Sequence, residues 1–209
     1  MTAIIDYGVG NLFSLVSSFE KIGEEAVVTS DTAVLARADR IVLPGVGAFG
    51  DAAEKLFSSG LVPVLREQIA AGKPVLGICL GMQLLFDKSF EYGEYAGLGL
   101  IPGEVRPIRE YVTGLKIPHM GWNALRFPNG AHPLFRYIKE GDHVYFVHSY
   151  CGVDCGTNLI ADTEYGVPLT AAVANGNVMG CQFHPEKSGS VGLNILRAFC
   201  EMGKKDEAC

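Results

Sequence analysis

The sequence predicts an α/β fold: a mixed, mostly parallel central sheet flanked by helices, in a single domain over residues 1–209. Two features carry that expectation. Over the first ninety or so residues, short apolar runs alternate with segments of helical periodicity, the pattern of parallel strands joined by right-handed crossover helices. Beyond about residue 105 the segments turn rich in β-branched and aromatic residues with short turns between them, which reads as antiparallel strand. A chain of 209 residues is long enough to bury a substantial core of this kind.

The elements follow in order. TAIIDYG is a buried strand ending at Asp6, and Leu12, Leu15, Val16, Phe19 and Ile22 then recur at helical spacing behind Asn11 as a cap. EAVVTS is a second strand, DTAVLARAD a short helix and RIVLPG a third strand. Helices around AAEKLF and LVPVLREQIAAG follow, and KPVLGI is a fourth strand stopped at Cys79. Helical MQLLFDK comes next. HVYFVHSY, PLTAAVA and NVMGCQFH are strands, and SGSVGLNILRAFCEM closes the fold as a helix with Val191, Ile195, Leu196 and Phe199 on one face. The charged stretch at 203–209 is expected to fray. Ligands on such sheets bind beyond the carboxyl ends of the strands, where Asp6, Pro44 and Cys79 fall.

Composition removes several classes of function. A formal charge of −6 argues against nucleic-acid binding, which needs clustered Lys and Arg. No run approaches 18 uninterrupted apolar residues, so no membrane span is expected. MTAIID lacks a basic leader region, which points to a cytoplasmic protein whose six cysteines are thiols. Cys151 and Cys155 are separated by GVD with no second cluster, so no metal site is read there, and no cofactor motif stands out.

Gly77-Ile78-Cys79-Leu80-Gly81, between a strand and a helical segment, is the cysteine counterpart of the G-x-S-x-G elbow. In that turn, strained backbone thrusts the nucleophile upward and glycines keep neighbouring side chains clear. A free thiol of pKa about 8.5 is only a few per cent thiolate at neutral pH, and a helix N-terminus favours the anion. The backbone N–H of Leu80 falls where an oxyanion donor belongs. Of the five histidines, His184 stands out. It ends a strand, Pro185 keeps it extended, and Glu186 two residues on points the same way and can orient its imidazole. Cys79, His184 and Glu186 thus form a candidate triad of nucleophile, acid/base and orienter.

With KPVLGICLGMQLLF and CQFHPEKS in hand, the chain resembles the class I, or triad-type, glutamine amidotransferases over essentially its whole length, implying their flavodoxin-like fold. DYGVGN from Asp6, PGVGAFGDA from Pro44, KIPHMGWN from Lys116 and YFVHSY from Tyr145 are more specific. They resemble the glutaminase subunits of imidazole glycerol phosphate synthases. That resemblance implies glutamine as substrate, a glutamyl thioester on Cys79, and ammonia passed to a cyclase subunit built as a (β/α)8 barrel. It places Val46 and Gly47 with Leu80 in an oxyanion hole, and Gln83, Glu91, Ser149 and Tyr150 on the glutamine. It sets His119, Met120, Trp122, Tyr145, Lys187 and Asn11 on the partner-facing surface. One departure is Gly189, where a second serine is commoner.

Three other readings share parts of the pattern. An amidotransferase subunit of anthranilate or aminodeoxychorismate synthase keeps the chemistry, but PHMGWN and PGVGAF speak against it. A Cys–His peptidase or γ-glutamyl hydrolase would act without a partner. A non-catalytic binding module is disfavoured by the intact triad.

Overall fold

A computed structural model describes residues 1–202, and the expected frayed tail lies outside them. The first half alternates β1 (Thr2–Ile5), α1 (Leu12–Lys21), β2 (Ala26–Thr29), α2 (Thr32–Arg37), β3 (Arg40–Leu43), α3 (Phe49–Ser58), α4 (Leu61–Ala70) and β4 (Val75–Ile78). A short α5 (Leu80–Gln83) leads into β5 (Phe86–Ser89), β6 (Tyr95–Ala96), β7 (Ile101–Pro107), β8 (His119–Arg126) and β9 (His143–His148). Then come β10 (Tyr150–Val153), β11 (Leu159–Glu164), β12 (Pro168–Asn175), β13 (Val178–Cys181) and α6 (Gly189–Glu201).

The larger sheet runs β2-β1-β3-β4-β13-β12-β11-β8-β9. Its first five strands are parallel, in the order of a flavodoxin-like sheet. From β13 onward each pairing is antiparallel, so the described sheet is mixed in nearly equal parts. Every residue of β1, β3 and β4 is buried, which explains their continuous apolar runs: both faces are covered by helices. Side chains alternate between the two layers. Ala3, Ile41, Leu43 and Val75 pack with α2, α3 and α4 through Leu35, Leu56 and Leu65. Ile4, Val42 and Leu76 pack with α1 and α6 through Leu15, Phe19, Ile195, Leu196 and Phe199.

Two features depart from expectation. MQLLFDK is not one helix: α5 ends at Gln83, and Phe86–Ser89 becomes a strand. The backbone of Leu84 and Leu85 is taken up by tertiary bonds, with Leu98 N–H donating to Leu84 O (2.8 Å) and Ile101 N–H to Leu85 O (3.0 Å). Phe86–Ser89 then pairs with β7 in a second sheet, β10-β7-β5-β6, which periodicity did not reveal. Asn11 stands at the head of α1, but its side chain makes no capping hydrogen bond. Gly189, opening α6, has φ +58°, a left-handed conformation that favours glycine over the serine the resemblance expects.

Phe199 fills the layer between α6 and the sheet and is fully buried. Phe199→Ala should therefore lower unfolding free energy by about 3–5 kcal/mol in urea titrations.

Candidate active site

The pairing of β4 with β13 assembles the site. Ile78 lies beside Cys181 in parallel register, so Cys79 emerges next to the segment beginning at Gln182. Cys79 N–H donates to Cys181 O at 2.8 Å, which ties the elbow to its neighbour strand. The Cys79 backbone has φ 55° and ψ −112°, a strained conformation for a residue bearing a Cβ and the mark of a nucleophile elbow. The flanking glycines have a steric reason. A Cβ on Gly81 would stand 1.9 Å from Leu43 O, and one on Gly77 would stand 2.6 Å from Gly81 O. Leu80 is the first residue of α5, a position whose N–H has no partner within the helix and is available to a ligand.

His184 Nδ1 lies 2.8 Å from Glu186 Oε1, and His184 and Cys79 line the same pocket. Burial alone would lower the His184 pKa. The hydrogen bonds to Cys79 and Glu186 and the negative charge of both outweigh it and raise the pKa to about 9. The Glu186 side chain is 2% exposed, so its charge acts with little solvent screening. The candidate triad of Cys79, His184 and Glu186 is therefore brought together, an arrangement suited to acyl transfer from an amide.

These groups open on a cavity of 370 Å³ lined by Val46, Gly47, Cys79, Leu80, Gln83, Glu91, Ser149, Tyr150, His184 and Lys187, along with Pro118, Val147 and His148. Both sets of residues proposed for the oxyanion hole and for glutamine thus meet at one pocket. Gln83 Nε2 donates to Tyr150 O (3.1 Å) and to Gln182 Oε1 (2.9 Å), so what Gln83 can offer a ligand is its carbonyl oxygen. Glu91 Oε2 accepts from Phe49 N–H at 2.7 Å. Burial raises the Glu91 pKa, against the lowering effect of that bond. Its remaining oxygen suits a substrate ammonium.

The expected partner-facing residues divide. Met120 and Trp122 are 59% and 53% exposed, and Trp122 meets Tyr145 edge-to-face at 6.0 Å. The Lys187 ammonium lies 5.9 Å from the Tyr145 ring centroid, and Asn11 is partly exposed. His119 does not belong with them. It is 0% exposed because alternation along β8 turns it inward, where it stacks between Phe146 (4.9 Å) and Tyr165 (4.1 Å). Its Nδ1 lies 2.9 Å from His148 Nε2.

Three residues near the thiol were not singled out from the sequence. His148 Nδ1 donates to Tyr150 O at 2.8 Å; burial first, and then the charges of His119 and His184, lower its pKa to about 3. The Tyr7 hydroxyl donates to Pro44 O at 2.7 Å and anchors the loop carrying Val46 and Gly47. Gln182 Nε2 lies 3.7 Å from Cys79 Sγ. Position two before the base, on the same side of an extended segment, was the signal that could have found Gln182.

The family model described as glutamine amidotransferase class-I matches residues 3–202. The chain is 50% identical over 199 residues to the imidazole glycerol phosphate synthase subunit HisH of Lactococcus lactis subsp. lactis, covering 95% of this chain and 96% of that one. It is 49% identical over 207 residues to the subunit of the same name from Syntrophotalea carbinolica, at 97% and 100% coverage. The Geobacter sulfurreducens subunit is 50% identical over 205 residues, at 96% and 98%. A solved structure described as glutamine amidotransferase aligns with TM-score 0.74 at 19% identity, covering 96% of this chain and 98% of that one. PurLQS of Thermotoga maritima aligns at 0.73 and 21% identity, over 95% and 96%. At such identities these two structures bear on the fold alone.

The two histidines flanking the pocket make opposite demands on pH. Stability from a neutral, buried His148 is complete above its ordinary pKa of 6.5 and is lost as pH falls toward about 3. Stability from a charged His184 is complete below 6.5 and is lost as pH rises through about 9. Melting temperatures measured between about pH 4 and pH 10 should fall on both sides, with His148→Gln flattening the acid limb and His184→Gln the alkaline limb.

Proposed function

This chain belongs to the class I glutamine amidotransferase family, and from that premise we propose that it is the glutaminase subunit of an imidazole glycerol phosphate synthase, acting in histidine biosynthesis. The observation that supports it most directly is that Cys79 and a Glu186-oriented His184 line one cavity of 370 Å³. About 50% identity to named subunits over nearly the whole chain supports the choice of synthase.

Cys79 Sγ attacks the carbon of the substrate side-chain amide. The amide oxygen becomes an oxyanion held by Leu80 N–H and by the loop at Val46 and Gly47. His184 gives a proton to the leaving nitrogen, so ammonia departs and a glutamyl thioester remains. His184 then takes a proton from water, the hydroxide attacks the thioester, and glutamate leaves with the thiol restored. Gln83, Glu91, Ser149 and Tyr150 hold the substrate's amino-acid end, Glu91 as counter-charge to its ammonium.

A cyclase subunit docks on the exposed face around Met120, Trp122, Tyr145, Lys187 and Asn11 and receives the ammonia. A dry passage matters because ammonia released to water is protonated and loses its lone pair. No described helix is long and apolar enough to cross a membrane, which is compatible with a cytoplasmic setting.

Ammonia release from glutamine, measured with and without an imidazole glycerol phosphate synthase cyclase and its nucleotide substrate, tests this reading. Activity should be low alone and strongly stimulated by the pair, and Cys79→Ala should lower it by about 10⁴-fold or more. Activity indifferent to the cyclase would assign the chain to another acceptor. Trp122→Ala should weaken cyclase binding by about 2 kcal/mol, roughly 30-fold in Kd by calorimetry, as expected of an aromatic anchor.

A further inference from the structure

The sulfur of Cys79 has a second polar neighbour besides His184. Gln182 is 0% exposed and does not line the cavity, yet its Nε2 stands 3.7 Å from Cys79 Sγ and its Oε1 stands 2.9 Å from Gln83 Nε2. The nitrogen and oxygen of a side-chain amide are told apart by their partners. Here a backbone group settles both amides. Tyr150 O can only accept, so the Gln83 atom facing it at 3.1 Å is nitrogen. The same nitrogen faces Gln182, so the Gln182 atom facing it is oxygen. The nitrogen of Gln182 is therefore turned to the sulfur, and it has only N–H groups to offer.

The backbone holds this arrangement in place. Gln182 N–H donates to Ala171 O at 2.8 Å, and the neighbouring Cys181 O accepts from Cys79 N–H, so Gln182 and the elbow are fastened to the same strand end. Gln182 and His184, two apart in extended chain, both meet Sγ. Gln83, four residues beyond Cys79, closes the ring from the elbow side.

We propose that Gln182 is a catalytic residue in its own right: its side-chain amide donates a fixed N–H···S hydrogen bond that favours the thiolate of Cys79 over the thiol and holds the sulfur in its attacking position. A donor-only contact discriminates between the two forms because only the anion gains charge-assisted strength from it. The relay through Gln83 also joins the nucleophile to a residue proposed to contact glutamine. The inference rests on Cys79 being the nucleophile of the proposed reaction.

The test uses the full chain with its cyclase partner and two substitutions of similar size. Gln182→Glu can still accept from Gln83 but offers the sulfur no N–H when ionised, whereas Gln182→Met removes both contacts. The rate of Cys79 alkylation by iodoacetamide is followed against pH by peptide mass spectrometry, with Cys79→Ala as the blank. Both variants should move the half-maximal rate to higher pH by about one unit, equal to about tenfold less thiolate near neutrality. At saturating glutamine kcat should fall by about tenfold in both variants, while in Gln182→Glu, which keeps an acceptor for Gln83, KM should change less than about twofold. Unchanged midpoints in folded variants, or a loss confined to KM, would overturn the role of Gln182. Absence of pH-dependent Cys79 alkylation in the unsubstituted chain would instead overturn the nucleophile assignment.

A second measurement needs no variant at the position. The assigned Gln182 side-chain amide protons should shift downfield in NMR spectra as pH converts the thiol to thiolate, and should stay still in Cys79→Ala. A flat trace in the unsubstituted protein would sink the proposal even where the substituted chains fail to fold.

Discussion

The parallel pairing of β4 with β13 is the constraint on which the site depends. These strands are far apart in sequence, and neither carries the whole chemistry. Register sets Ile78 against Cys181, and the next residues out of the sheet are Cys79 on one side and Gln182 on the other. From there the pleat does the rest. His184 reaches the sulfur from an extended segment, and Glu186 comes back onto the imidazole after a short turn. A slip of one residue in this pairing would exchange the faces of β13 and turn His184 from the thiol.

Burial then sets the strength of what register has placed. His184 and Glu186 are both nearly enclosed, so their attraction is screened far less than a surface pair would be, and the charged imidazole is favoured despite desolvation. His148 on β9 goes the other way because burial lowers its pKa and its polar neighbours are a carbonyl and another imidazole rather than a carboxylate. Two buried histidines on one pocket thus differ by their partners, not by their depth. The same low polarity makes the orientation of Gln182 and Gln83 consequential, since an amide facing the wrong way inside the protein would leave donors and acceptors mismatched.

What was legible in the sequence was local. The elbow glycines, the strand–helix alternation and the HPE tripeptide each declare themselves within a few residues, and they located Cys79, His184 and Glu186 and the first four strands. What escaped depends on distant chain. Phe86–Ser89 looked helical because its periodicity is too short to decide, and its strand form comes from pairing with β7. His119 was set on the partner-facing surface by resemblance, together with Met120 and Trp122, while the strand period buries it. Gln182 lies within CQFHPEKS but was given no role there, and the role proposed for it depends on an elbow about a hundred residues away.

Strand β8 has a further consequence for protein engineering. Its inward residues, His119 and Asn123, are joined in polar contact at 2.9 Å and continue to His148 at the pocket wall, while Met120 and Trp122 stand outward beside Val147 and Tyr145. On the proposed reading, recognition is thus written on the outward side of this strand and support for His148 on its inward side, in alternating letters. A library confined to the outward letters can seek affinity for a foreign acceptor subunit, with the inward ones left as a fixed frame for the chemistry. The fold offers a natural boundary between retargeting and inactivation, one residue wide.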